Sequence, residues 1–168
     1  MGDLYKEHLV KKEKTAKDTL SRAGIIALTV VLALGGLFIR PILLAGALVV
    51  GILGYIFVFP NTDLEYEYLL VNRTIDIDKV MAKTKRKKVK SFDLSTAEII
   101  APLHSHRMDY YNQNSQMKVQ DYSSGNDEHR RFAFIIREEG QASKVIIEPD
   151  QDMERMMQQS MPGKCFLD

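Results

Sequence analysis

The chain has almost no cysteine: Cys165 stands alone among 168 residues. An internal disulfide is therefore excluded, which fits a reducing compartment. Net charge is almost absent too, at +1 with histidine neutral. Residues 1–22 carry six basic and four acidic side chains, and residues 60–168 carry 16 basic and 18 acidic. Neither portion is charged enough for bulk nucleic-acid binding. No glycine-rich phosphate loop, nucleophile elbow or HExxH sequence is present,. The most informative absence is of charge between Ala23 and Phe59, where Arg40 is the only ionised side chain in 37 residues.

An apolar run of that length, preceded by 22 polar residues, is not a signal peptide, whose apolar region is only about 7–15 residues,. As one helix it would rise about 55 Å, against a hydrocarbon core of about 30 Å. Arg40-Pro41 interrupts it, since proline disfavours helix in the residue before it and has no N–H to continue the ladder,. The expectation is a transmembrane helical hairpin over 23–59, with spans at 23–39 and 41–59. One span plus a re-entrant piece is the alternative. Lys6, Lys11, Lys12, Lys14, Lys17 and Arg22 precede the first span, and Arg73, Lys79 and a basic run follow the second, against one arginine in the turn. The positive-inside rule then makes this a multi-pass protein of the cell membrane with both termini cytoplasmic. Ala47 and Gly51, with Gly46 and Gly54 nearby, offer small residues for helix packing, facing Ala27, Thr29 or Gly35,. No Asp, Glu, Lys or His lies within either span, so nothing marks an ion path or proton relay. Residues 1–22 read as a basic N-terminal helix from about residue 3, with Tyr5, Leu9, Ala16 and Leu20 on one stripe,. Its lysines serve either contact with the anionic inner leaflet or topology alone. Met1-Gly2 is no myristoylation signal, because Lys6 stands where that motif wants Ser or Thr,.

From residue 60 to residue 168 the pattern becomes that of a soluble domain. Leu64–Tyr68 and Thr74–Val80 alternate apolar with polar residues across a turn at Asn72-Arg73,. Further strands are expected at 86–94, 98–103, 117–122, 131–136 and 144–147, with a loop and a helical turn over 104–116 and a turn at Glu138–Gln141. Pro149-Asp150 signals a helix start, Met153, Met156, Met157 and Met161 form one stripe, and Pro162-Gly163 ends it,. The stripe reads as core rather than as an adaptable binding surface. The fold class is α+β: a membrane hairpin followed by a small antiparallel β domain of about seven strands, closed by a C-terminal helix.

That order of elements resembles the bacterial pleckstrin-homology-like proteins that carry a membrane hairpin. Met1-Gly-Asp-Leu-Tyr5, Phe59–Tyr68, Asp76–Lys83 and Ser105-His-Arg107 resemble an uncharacterised family of small membrane proteins from Bacillota. The likeness covers nearly the whole chain and implies a class and a location but no activity.

Lys83, Lys85, Arg86, Lys87, Lys88 and Lys90 fall within eight residues. Near a bilayer such a cluster attracts anionic head groups at roughly 1 kcal/mol per charge. The alternative is a solvated strand face. Stacking aromatics are not interleaved with it, so no nucleic-acid partner is expected. His104 and His106 lack the further ligands a metal site needs, and no cofactor is expected. Nothing near Cys165 lowers its pKa in a readable way. Asn72-Arg-Thr74 matches a glycosylation acceptor, but a hairpin turn accounts for the asparagine. Two functional classes follow: a non-catalytic binding or scaffolding module at the membrane, contacting anionic lipid or a membrane protein, and a membrane-bound enzyme with an unrecognised site.

Overall fold

The computed structural model describes residues 5–138 and 140–168. Outside them lie residues 1–4, with the Met1-Gly2 pair and most of the Met1–Tyr5 motif, and residue 139 of the expected Glu138–Gln141 turn. Two compact units emerge. One comprises Glu13–Leu64 with Val80–Lys85; the other comprises strand β1 (Tyr5–Lys11), Glu65–Lys79 and Arg86–Asp168.

The first unit is mainly helical. Helix α1 (Ala16–Phe38) begins at a reciprocal cap: the Asp18 N–H donates to Thr15 Oγ1 at 3.2 Å, and the Thr15 N–H donates to the Asp18 carboxylate at 2.9 Å,. Helix α2 (Ile42–Leu53) continues through a π-turn at Gly54–Val58 and a 3-10 turn at Pro60–Thr62. Both helices are long and apolar enough to cross a bilayer, and only 6% and 11% of their most apolar stretches are buried within the chain. Such exposure is foreign to the core helices of a water-soluble domain. It is what lipid-facing helices require. At the tight turn between them, a Cβ on Gly36 would fall 2.7 Å from the Leu44 nitrogen, so only glycine lets the backbones approach there,. A Cβ on Gly54 would meet Ile25 at 2.5 Å. Thr29 and Gly35 do face α2, whereas a Cβ on Gly46 would meet open space and Ala27 is exposed.

The second unit departs from expectation at its first element. Residues 5–11 are a strand, not the start of a helix. β1 pairs antiparallel with β2 (Leu64–Val71) from Tyr5 opposite Val71 to Lys11 opposite Glu65. Its inward positions are Lys6, His8 and Val10, and two of them are polar. The alternation that marks a strand is thus invisible in hydrophobicity. Lys6 is held by Asp150 at 2.9 Å and Asp152 at 3.1 Å. The domain boundary expected at residue 60 must therefore be redrawn to include β1.

Two four-stranded sheets replace the single sheet of about seven strands. One has the order β1-β2-β3-β4, with β3 at Thr74–Met81 and β4 at Lys85–Asp93; the other has the order β5-β7-β8-β6, with β5 at Ile99–Pro102, β6 at Lys118–Asp121, β7 at Phe132–Glu138 and β8 at Gln141–Ile147. The unit is not purely antiparallel, because β6 runs parallel to β8. Helix α3 (Asp109–Asn112) is the helical turn expected in the 104–116 segment. Helix α4 (Gln151–Ser160) closes the core. Tyr68, Leu70, Ile75, Ile77 and Phe92 of the first sheet meet Ile100, Phe132, Phe134, Val145 and Ile147 of the second, with Met153, Met157, Met161 and Cys165. The methionine stripe is core. The second sheet's other face is covered as well, through Ala101, Met108, Met117, Ala133, Ile135 and Ile146. Burial on both faces explains the unbroken apolar run of β7.

Asp150 caps α4, accepting from the Met153 N–H at 2.8 Å,. Burial disfavours its charged form, but Lys6, the Met153 N–H and His8 outweigh this and hold its carboxyl below the usual 3.8. Its contribution is present above that value and lost as pH falls below it, through the lowered value of the folded state,. Asp150→Ala should cost about 1 kcal/mol at neutral pH, with the gap from wild type closing below about pH 4 in paired thermal melts. A second prediction concerns β1. Lys11 and Glu65 are register partners, so a short Gly/Ser linker can join residues 5–12 to residues 64–168. The joined domain should melt cooperatively in circular dichroism. The fragment without β1 should be less stable by at least about 1.5 kcal/mol, the worth of burying Val10 alone.

Candidate functional site

Within the helical unit, the tip of the β3–β4 hairpin is tied to the end of α2. The Ala82 N–H donates to the Asp63 carbonyl at 2.8 Å. The turn itself closes through the Thr84 N–H and the Met81 carbonyl at 3.1 Å. Ala82 and Lys83 both have positive φ, 49° and 57°, the signs of a type I′ turn that ordinarily uses Asn-Gly. Holding non-glycine residues there costs roughly 1–2 kcal/mol each.

Arg22 reaches the same end of the hairpin from α1. Its Nε donates to Thr62 Oγ1 at 2.5 Å, its Nη2 to the Phe59 carbonyl at 3.3 Å, and its guanidinium lies 5.1 Å from the Phe59 ring centroid. These partners are neutral. A cavity of about 350 Å³ opens here, lined by Arg22, Tyr55, Phe59, Asp63, Thr84 and Lys85 among others.

The six basic residues singled out in the sequence are divided between the units. Lys83 and Lys85 belong to the helical unit; Arg86, Lys87, Lys88 and Lys90 belong to the sheet unit. Arg86 pairs with the Glu67 carboxylate and lies 4.0 Å from Asp78, and Lys88 pairs with Asp76 at 3.1 Å. Lys90 sits 5.1 Å from the Phe92 ring centroid. Lys83, Lys85 and Lys87 are exposed and make no ion pair among the described residues.

Those pairings form a second feature that sequence reading missed, a charged groove of about 170 Å³ on the outward face of the first sheet. Its charged lining is Glu7, Glu67, Asp76, Asp78, Arg86 and Lys88. Glu67 is only 5% exposed, and burial, then the hydrogen-bonded Glu7 beside it, pushes its carboxyl up. Hydrogen bonds from Glu67 and Tyr5 push Glu7 down. A hydrogen bond from Ser91, then Lys88, lowers Asp76. The acids of β2 and β3 were legible only as the polar half of an alternation, because their alignment with β4 depends on pairing across strands.

Elsewhere, His104 and His106 are exposed, and His106 Nδ1 lies 3.2 Å from Asp109. Among the described residues no group of three His, Cys, Asp or Glu is arranged to hold a metal ion. Burial pushes the Cys165 thiol up to about 12, so it is not a thiolate nucleophile at neutral pH,. Asn72 has φ 55° at the β2–β3 turn, which accounts for asparagine there,.

Two sheets closed by a C-terminal helix, with two apolar helices between the first strand and the second, define a small membrane-hairpin protein with a PH-like domain. The chain belongs to the bacterial PH-like domain family (DUF6106), which matches residues 2–167. No curated protein and no solved structure matches it.

Adjacent positions in the basic run should respond differently to the same change. Arg86→Gln leaves the buried Glu67 without its cation and should cost about 1–3 kcal/mol, read as a lowered denaturation midpoint. Lys87→Gln should stay within about 0.5 kcal/mol of wild type.

Proposed function

We propose that this protein is a membrane-anchored, non-catalytic binding module whose PH-like domain is held at the cytoplasmic face of the cell membrane. The observation that carries this reading is the pairing of β1 with β2. These strands flank the two apolar helices, so both flanks lie on one side of a bilayer and the helices go out and back. Lysines before α1 and the basic residues after α2, against the lone Arg40 in the turn, favour the cytoplasm for that side. Anionic head groups are the first partner, met by Lys83 and Lys85, whose charges no carboxylate offsets among the described residues,. A membrane protein docking on the PH-like domain is the other partner in this class.

A second reading, a membrane-bound enzyme, draws on the Glu7–Glu67 pair, since two carboxyls with opposed shifts suit acid–base chemistry,. Ion pairs from Arg86 and Lys88 occupy much of that groove, which favours a structural role. Turnover of any substrate that disappears in Glu67→Gln would reverse this preference.

Reporter fusions test the topology. Fusions at the N-terminus and after Asp168 should both signal cytoplasm. An external signal from either one would sink the arrangement.

A further inference from the structure

We propose that the helical hairpin holds one acidic phospholipid as a resident ligand, with its phosphate between Arg22 and Lys85 and an acyl chain lying in the cleft between α1 and α2. This rests on the membrane reading above and names the lipid class and the site. The cleft is an apolar groove of about 260 Å³ lined by Ile25, Ile26, Thr29, Val30 and Gly51, with Tyr55 and Phe59 at its end. Tyr55 and Phe59 also line the cavity of about 350 Å³ that contains Arg22 and Lys85. The two spaces share these two aromatic rings as walls, one space apolar along the helices and the other bearing the cations. That sequence of environments, tail then phosphate, is the chemistry of a phospholipid.

The polar groups along the way are already satisfied or wrongly placed for a water-soluble ligand. Thr29 Oγ1 donates to the Ile25 carbonyl at 2.8 Å, and its methyl is the group that faces Gly51. Thr29 is the cleft's one polar side chain apart from Tyr55 at its end. At the other end, Arg22 is oriented by the Thr62 hydroxyl, the Phe59 carbonyl and the Phe59 ring, all uncharged, so its charge remains available to an anion. Lys85 has no ion pair among the described residues. Asp63 lies on the same rim and leaves a net single positive charge, which selects an anionic over a zwitterionic head group. Tyr55, 74% exposed, is the type of residue that settles at the head-group level.

Gly51 supplies the control for the tail. A Cβ added there meets only Thr29 Cγ2, at an ordinary 3.6 Å, so the helix pair has room for a Cβ at that position. A leucine would extend into the cleft.

The test uses the full chain, delipidated in detergent and titrated with dioleoyl phosphatidylglycerol or dioleoyl phosphatidylcholine. Bound lipid is counted by native mass spectrometry. One phosphatidylglycerol should be retained preferentially, and Lys85→Gln should lower its affinity roughly fivefold, the equivalent of about 1 kcal/mol for one interfacial charge. Arg22→Gln should do the same or more. Because Arg22 also braces Thr62, Lys85→Gln carries the test if that variant misfolds. Gly51→Leu should reduce retention of both lipids, Lys83→Gln should change retention less than Lys85→Gln, and glycerol phosphate without tails should not compete. Equal retention of the two lipids, unchanged retention in Lys85→Gln or Gly51→Leu, or competition by glycerol phosphate would overturn the site. Carbonate extraction of cell membranes separates the two levels: a chain that washes off fails as a membrane protein, while one that stays but shows no selectivity fails only here.

Discussion

Seven consecutive Cα pairs join Tyr5–Lys11 to Glu65–Val71, and more than 50 residues of mostly apolar chain separate the two strands. Neither flank can be assigned to water independently of the other. The chain leaves the sheet after β1 and returns to it at β2, with the two apolar helices between. Closing so long a loop carries an entropic cost that rises only slowly with length. Forming the two helices from groups that hydrogen-bond internally in lipid removes most of that freedom beforehand. The sheet gains in turn. β1 covers an edge of β2 that would otherwise present unpaired backbone groups, and through Lys6 and His8 it meets the cap of α4. The anchor is thus an insertion into the sheet rather than a leader attached to it.

Strand geometry then decides what the charges do. In β2 and β3 the residues Tyr66, Tyr68, Ile75 and Ile77 point into the core, which leaves Glu67, Asp76 and Asp78 together on the outward face,. Arg86 and Lys88, two apart on β4, come to the same face and neutralise them. Lys87 between them points away from this arrangement. Ser91 also bonds Asp76 although it stands an odd number of residues from Arg86 and Lys88. The strict alternation of β4 therefore slips by one between Lys88 and Ser91. A block of like charges in sequence thus becomes several roles in space: ion pairing for some members, exposure for others.

What could be read from the residues alone follows the same logic. Arg40-Pro41 between two apolar runs marked the hairpin because a single helix of 37 residues would far outrun the hydrocarbon core and proline interrupts its ladder,. Met153, Met156, Met157 and Met161 marked α4 because local periodicity and a capping aspartate suffice. The alternating strands from Leu64 onward were legible for the same local reason. β1 was not legible, because its inward side chains are Lys6 and His8, whose partner Asp150 lies some 140 residues away in sequence. The division of the core into two sheets was hidden too, since it depends on which strands pair, and β6 joins β8 in parallel across the whole of β7. Of the candidate site, the lysines were visible and their partners were not. Arg22 read only as the last residue of a topology signal, because what distinguishes it is contact with Phe59 and Thr62 across the hairpin.

The tip of the β3–β4 hairpin joins these strands of reasoning. A type I′ turn favours glycine or asparagine at its centre, yet this one holds Ala82 and Lys83 with positive φ,. Local preference is therefore overruled by something the tip must do. Its Ala82 N–H is spent on Asp63 at the end of α2, which holds the turn against the exit of the membrane helix. Lys83 and Lys85 flank that contact, and neither is matched by a carboxylate among the described residues. The strained turn persists because the Ala82–Asp63 hydrogen bond holds the tip in place,, while its exposed lysines are solvated at no cost,. Arg22, with its uncharged partners, lines the same cavity.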